Sequence, residues 1–358
     1  MHVKKLCIIL ALAIVGAALP SGCARGYDNG HARDGKTIIG FSMDTLKEER
    51  WYKDRDNFVS DVRELGGTAI VKIAYDDDTV QYEQVKQMLD EKIDVLVIIP
   101  HDAVSAARSV ALAKLYGVKV ISYDRLVRKA NADLYVTFDN ERVGELMADA
   151  TIKASHGGDY VIVNGPASDY NTVMIDQGVY RVLNPYIKNG SVRVVKQISS
   201  PDWMADEASD CIADLLRNDV TINAVIAEND ALAGGVINTL SENRLASKIP
   251  VVGMDADLAA CQRVAEGQQL MTVYKPITQL AQAAARFAVD MAKGRSVRLK
   301  KSISDGRYSV PYYAITPIAV DKEKLVSTVV RDKFHTLPEV YMNIPRSAWP
   351  KQPKEKRK

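Results

Sequence analysis

From Thr37 to Asp139 the chain alternates short apolar runs with segments whose apolar residues recur at helical spacing, and this alternation constrains its fold more than any other feature. The runs at 37–42, 69–74, 94–100, 118–124 and 134–139 have strand length. They lack the in-and-out alternation of a half-solvated strand, so they suit a parallel sheet covered by helices on both faces. Between them, Trp51, Phe58, Val59, Val62 and Leu65 share a helical face that Gly66 and Gly67 bring to an end. Val80, Tyr82, Val85, Met88 and Leu89 mark a second helix, and 103–116 a third with Gly117 as its C-cap. A second series opens at His156, Gly157 and Gly158, with strands at 160–164, 192–198, 224–228, 249–254 and 270–274. The expectation is an α/β protein of two doubly wound parallel-sheet lobes, repeated in architecture but not in sequence. A chain of 358 residues, 47% of them hydrophobic, can fill two such cores.

Ahead of the first run, Lys4 and Lys5 precede an uncharged stretch, 6–19, that is too short to span a bilayer. This is the layout of a bacterial export signal, assigned to 1–22. Pro20, Ser21, Gly22 and Cys23 resemble a lipobox, which makes Cys23 the expected acylation site, with simple cleavage and release as the alternative. Residues 23–36 then form a linker. Without the signal, the formal charge falls from +2 to about 0, so no basic field points to nucleic acid. Cys211 and Cys261 sit in helical patterns and read as buried thiols, and no Cys/His spacing suggests a metal or cofactor.

In open α/β sheets, ligands collect outside the carboxyl ends of the strands, so those ends carry the functional reading. The first strand runs into Asp44, Thr45 and Leu46, then Glu48, Glu49, Arg50 and Trp51; the fourth ends in Tyr123, Asp124 and Arg125. In the second series the ends carry Asp169, Tyr170 and Asn171, then Asp202 and Trp203, Asn229 and Asp230, Asp255, and Lys275. Each has a plain structural reading as well. Asp169, Asp230 and Asp257 suit helix N-caps, Arg125 a surface ion pair with Asp124, and both tryptophans ordinary core. Taken together, however, they match one chemistry. A pyranose presents hydroxyls that donate and accept and C–H faces that are apolar: carboxylates accept, Arg and Lys donate, Asn does both, and indole supplies a flat apolar wall.

The stretches EERWYKDRD (48–56), DVLVIIP (94–100), YDR (123–125), FDNERVGEL (138–146), ENDALAGG (228–235), DADLA (255–259) and MTVYKPIT (271–278) resemble the bacterial D-xylose-binding proteins, type I periplasmic sugar-binding proteins related to those for ribose and galactose. The similarity runs from about Thr37 to His335. It implies two Rossmann-like lobes joined by a three-segment hinge: 37–139 with 277–312 as the N-terminal lobe and 140–276 with 313–335 as the C-terminal lobe. The extension 336–358 exceeds the family's usual length and is expected to be an extended tail that wraps loosely or is disordered. Carried over position by position, the implied sugar contacts are Arg50, Asp124 and Arg125 from the first lobe, and Asp169, Asn171, Trp203, Asn229, Asp255 and Lys275 from the second lobe or hinge. Trp51 and Tyr170 are candidate pocket walls, and Asp139 and Asn140 fall at a hinge crossing. Tyr170 is bulkier than the pattern suggests, and Pro201 and Asp202 depart from the expected glycine-containing loop, so the pocket rim is expected to differ there.

The implied function is that of the monosaccharide receptor of an ABC importer, with permease and ATPase subunits as partners, no cofactor, a monomeric state, and a periplasmic or lipid-anchored location. Alternatives are the same role with ribose, galactose or glucose, or a sensor that presents sugar to a chemoreceptor or sensor kinase. A sugar-responsive repressor needs a helix-turn-helix ahead of the first lobe, where the export signal and linker stand. A sugar-acting enzyme could pair Asp124, Asp169 or Asp255 as acid and nucleophile, but no nucleophile elbow, P-loop or GxGxxG accompanies them, so no catalytic residue is expected.

Overall fold

The computed structural model describes residues 36–351. The expected export signal, Cys23 and the last seven residues of the tail lie outside the described residues. Described chain begins with β1 (Thr37–Met43), α1 (Glu49–Glu64), β2 (Gly67–Ile73), α2 (Asp78–Asp90), β3 (Val95–Ile98), α3 (Ala107–Leu115), β4 (Lys119–Tyr123) and β5 (Leu134–Phe138). It crosses to the second lobe at α4 (Asn140–Ser155), followed by β6 (Gly158–Asn164), α5 (Tyr170–Lys188), β7 (Val192–Ser199), α6 (Ala205–Arg217), β8 (Ala224–Ala227), α7 (Asp230–Glu242), β9 (Val251–Met254), α8 (Leu258–Glu266) and β10 (Met271–Tyr274). Helix α9 (Ile277–Ala292) returns to the first lobe with β11 (Ser302–Ser304) and β12 (Ser309–Ile315), and β13 (Ile318–Val320) crosses back.

The first sheet has the order β11-β12-β5-β4-β3-β1-β2 and the second β13-β10-β9-β8-β6-β7. Apart from the antiparallel β11 and β13, the pairings are parallel. Both lobes therefore share the 2-1-3-4-5 winding, with a switch point beside the first strand of each, where ligands gather. Chain crossings at 138–140, 274–277 and 315–318 join the lobes.

Helices cover both faces of each sheet, as the apolar strands require. Phe41, Phe58 and Tyr123 pack with the alanine-rich face of α9 on one side of the first sheet, while Val85, Met88 and Val110 cover the other. In the second lobe, α4 and α5 bury Val143, Met147, Ile175 and Val179 on one face, and α6 and α7 bury Ile212, Val236 and Leu240 on the other. Cys261 is buried and Cys211 half-buried, both as free thiols. No helix among the described residues is long and apolar enough to cross a membrane.

Three expectations need correction. Helix α3 starts at Ala107 and not at 103, because the Asp102 carboxylate accepts from the backbone N–H groups of Val104 and Ser105 and holds that stretch in turns. The last crossing lies beyond Ile315 and not at 312, because Tyr312 to Ile315 pair with Tyr135 to Phe138 in the first sheet. Residues 336–351 do not trail away. A short helix, α10 (Leu337–Val340), opens with a capping box from Thr336 and Glu339, and Leu337, Val340 and Tyr341 are buried against the core around α8.

Candidate functional site

The carboxyl ends of the two sheets face each other, and the loops that leave them border a cavity whose empty space, open solvent included, is about 330 Å3. All of Arg50, Asp124, Arg125, Asp169, Asn171 and Trp203 line it. So do Asn229, Asp255 and Lys275. The structure thus brings every residue carried over by resemblance into one chamber.

Arg50 enters from the first turn of α1, where Nε lies 3.1 Å from Asp54 Oδ2 and Nη2 2.7 Å from Asp124 Oδ2. Behind it, Tyr123 donates its hydroxyl to Asp54. Burial opposes charge on Arg50, but Asp124, Asp54 and Asp255 outweigh it and raise its pKa further. Burial likewise pushes Asp124 up, and Arg50 and Lys275 reverse this and hold its carboxyl below the usual range. The Arg50–Asp124 pair is therefore held charged.

Arg125 is not the surface partner of Asp124 that its sequence position allows. It is buried, with Nη1 2.6 Å from Asp44 Oδ2 and Nε 2.8 Å from Asp169 Oδ2 in the opposite lobe. Asp169 caps α5, as its position allows, by accepting from Asn171 N at 2.9 Å, and it also pairs with Arg125, which its sequence position did not suggest. Asn171 donates Nδ2 to Asp124 Oδ1 at 3.2 Å, while its Oδ1 accepts from Asn140 at the hinge and from Tyr135. Lys275 at the end of β10 lies 2.7 Å from Asp255 Oδ1, and Arg50 reaches the same oxygen from the first lobe at 3.5 Å. These contacts span the cleft, so the lobes stand closed.

Asn229 caps α7 through Leu232 N, which leaves Asp230 inside the helix and buried. Asp257 occupies the cap position of α8 but makes no side-chain cap bond. Trp51 lines the cavity, with its indole N–H on Glu48 Oε2 at 2.7 Å and the Arg50 guanidinium 4.3 Å from its ring. Tyr170 does not line it. Its ring stacks under Arg128, 3.8 Å from the guanidinium carbon, and packs on the first-lobe core, because as the first residue of α5 it points away from the cavity that Asp169 and Asn171 face. Sequence reasoning missed Glu48 and Met254 as lining residues. Glu48 stood beside Arg50 in the most specific motif, whereas Met254 carried no signal beyond a strand end.

Asp124, Trp203 and Asp255 share one further feature: left-handed φ values of 59°, 58° and 98° on residues with a side chain. Such conformations are costly, and here they turn strand-end side chains into the cavity.

The sequence profile of the periplasmic binding protein domain matches residues 39–296. The chain belongs to the periplasmic binding protein family. It is 42% identical to the D-xylose-binding periplasmic protein of Haemophilus influenzae over 87% of this chain and 93% of that one. With the D-xylose-binding periplasmic protein of Escherichia coli K12 it shares 40% identity over 85% and 92%. A carbohydrate transporter solute-binding protein from Chloroflexus aurantiacus, solved with D-glucose, has the same fold: TM-score 0.80, 24% identity, 85% of this chain and 98% of that one covered. The resemblance carried by EERWYKDRD and MTVYKPIT thus extends over most of the chain.

Proposed function

We propose that this protein captures D-xylose or a closely similar aldopyranose in the cavity between its lobes and delivers it to the permease and ATPase of an ABC importer. One observation carries the reading: Arg50, Arg125 and Lys275 alternate with Asp124, Asp169 and Asp255 around a small chamber bounded by Trp51 and Trp203, drawn from both lobes. The cations donate to ring and hydroxyl oxygens, the carboxylates accept from hydroxyls, and the indoles cover C–H faces. Two curated relatives, 42% and 40% identical and named for D-xylose, support the choice of sugar.

Sugar binds one open lobe first, and closure brings the other lobe's groups onto the remaining hydroxyls. Ligand favours the closed form because only there are both sets of contacts made. The importer then reads the closed shape. Export by 1–22, tethering through acylated Cys23 and a non-catalytic role complete the proposal.

The test is a thermal-shift panel of pentoses and hexoses, followed by calorimetry. Sugar at 100 times its dissociation constant adds about 2.7 kcal/mol, a clear rise in melting temperature. A panel in which no aldose shifts the transition overturns the proposal, and glucose binding as tightly as xylose removes the preference for a pentose.

A further inference from the structure

Trp203 forms one wall of the cavity, and nothing polar holds its ring. Its buried indole Nε1 has no hydrogen-bond partner among the described residues. Position must come from backbone and packing. The residue adopts φ 58° in a short loop that Ser200 closes by accepting from Met204 N at 2.8 Å, and the ring packs on the cores at both faces of the second sheet.

The ring's six-membered edge rests on Gly165, the residue after β6. A Cβ there would lie 2.1 Å from Trp203 Cη2 and 2.4 Å from Cζ2 and Cζ3, far inside any real contact. Gly165 is itself pinned from below: its N–H donates to Glu228 Oε2 at 2.5 Å, and Glu228, at the end of β8, is buried. Trp203 also borders a second pocket, with Pro201 and Asp202, so open space adjoins it outside the first chamber as well.

We infer that Gly165 and Glu228 are positioning residues that set the depth of the sugar cavity by fixing where the Trp203 ring stands, an inference that rests on the sugar-binding reading above. A methyl group at 165 needs about 3.5 Å to its neighbours, so it displaces the ring by an ångström or more. Glu228 keeps the Gly165 backbone from yielding in the ring's place. The width left for substituents on the sugar ring is then set by a residue without a side chain and a carboxyl group that never meets the sugar.

The test uses Gly165→Ala, Trp203→Phe and the double variant, with xylose and glucose titrated by calorimetry and the Trp203 contribution to indole emission followed. Phe is too short to reach a Cβ at 165. The expected result is that Gly165→Ala loses xylose affinity at least tenfold and shifts the emission, whereas in the double variant affinity is no lower than in Trp203→Phe alone. Glu228→Gln, which keeps the acceptor, retains binding; Glu228→Ala weakens it, and this pair decides the matter should Gly165→Ala fail to fold. Parent-like affinity in Gly165→Ala, or additive losses in the double variant, overturns the inference. If the parent chain binds no aldose, the proposed function fails while emission still tests the wall: a Gly165→Ala spectrum that superimposes on the parent's sinks it.

Discussion

Arg125 Nε and Asp169 Oδ2 stand 2.8 Å apart across the cleft, a buried ion pair between lobes that also lines the cavity between them. Burial pushes the Asp169 carboxyl up, and Arg125 pulls the other way. The same guanidinium satisfies Asp44. Removing it leaves Asp44 only His101 and Asp169 only its bond from Asn171 N, so two buried carboxylates lose their guanidinium, a loss of about 3 kcal/mol. Arg125→Ala is expected to lower xylose affinity at least about 100-fold in calorimetry, by the usual 1.4 kcal/mol per decade. Unchanged affinity in a folded variant removes Arg125 from the site.

Closure is also latched outside the cavity. Glu49 on α1 accepts from Leu258 N at the start of α8, 3.0 Å away, and Lys53 donates to Phe334 O at 2.9 Å. Opening must break both, yet neither side chain lines the chamber. Exposed polar contacts of this kind contribute about 1 kcal/mol, so Glu49→Ala with Lys53→Ala should speed sugar release roughly 3- to 10-fold by depopulating the closed form. Stopped-flow release at the parent's rate would show that the latch carries no load.

The winding of both lobes was legible because ten fully or partly covered strands carry the apolar runs that parallel sheets demand. Strands β11, β12 and β13 were not, since Ser302–Ser304 and Ile318–Val320 are only three residues long and Ser309–Ile315 is interrupted by Pro311. Site residues were legible where a strand end coincided with a motif. What pairs with what was not: Arg125 follows Asp124 in sequence but bonds Asp44 and Asp169, far along the chain. Tyr170 failed as a wall because adjacency to Asp169 and Asn171 says nothing about which way a helix's first residue turns.

Two buried acids make stability depend on pH. Burial pushes Glu228 up to about 8, against its bond from Gly165 N–H, and Asp230 up to about 7, against Arg263, Thr272 and Gln269. Their ordinary values are 4.5 and 3.8. Because the folded values are the higher ones, the contribution is complete below the unfolded pKa values and is lost as pH rises through 7 and 8. Each group costs at most about 1.4 kcal/mol per pH unit inside its window. Melting temperature is expected to fall from pH 5.5 to pH 8, and Glu228→Gln, neutral at every pH, should flatten the decline. A variant that declines as steeply as the parent would show that Glu228 is ionised in the folded protein.

Gly165 shapes the cavity, whereas Gly144 and Gly178 only hold the second lobe together, and the contrast is testable. A Cβ at Gly144 on α4 would sit 2.0 Å from Ile175 O, and one at Gly178 on α5 1.9 Å from Glu141 O. In each case the obstacle is the facing helix's backbone, which cannot swing aside as a side chain can. Gly178→Ala must therefore part the two helices, and overpacking of this kind costs about 3 kcal/mol. That loss lowers the melting temperature by roughly 5–10 °C. Gly178 lies two turns beyond Asn171, so sugar affinity should hold where Gly165→Ala loses it. Equal affinity losses in the two variants would mean that the second lobe transmits any backbone strain to the cavity, and that Gly165 has no special place beneath Trp203.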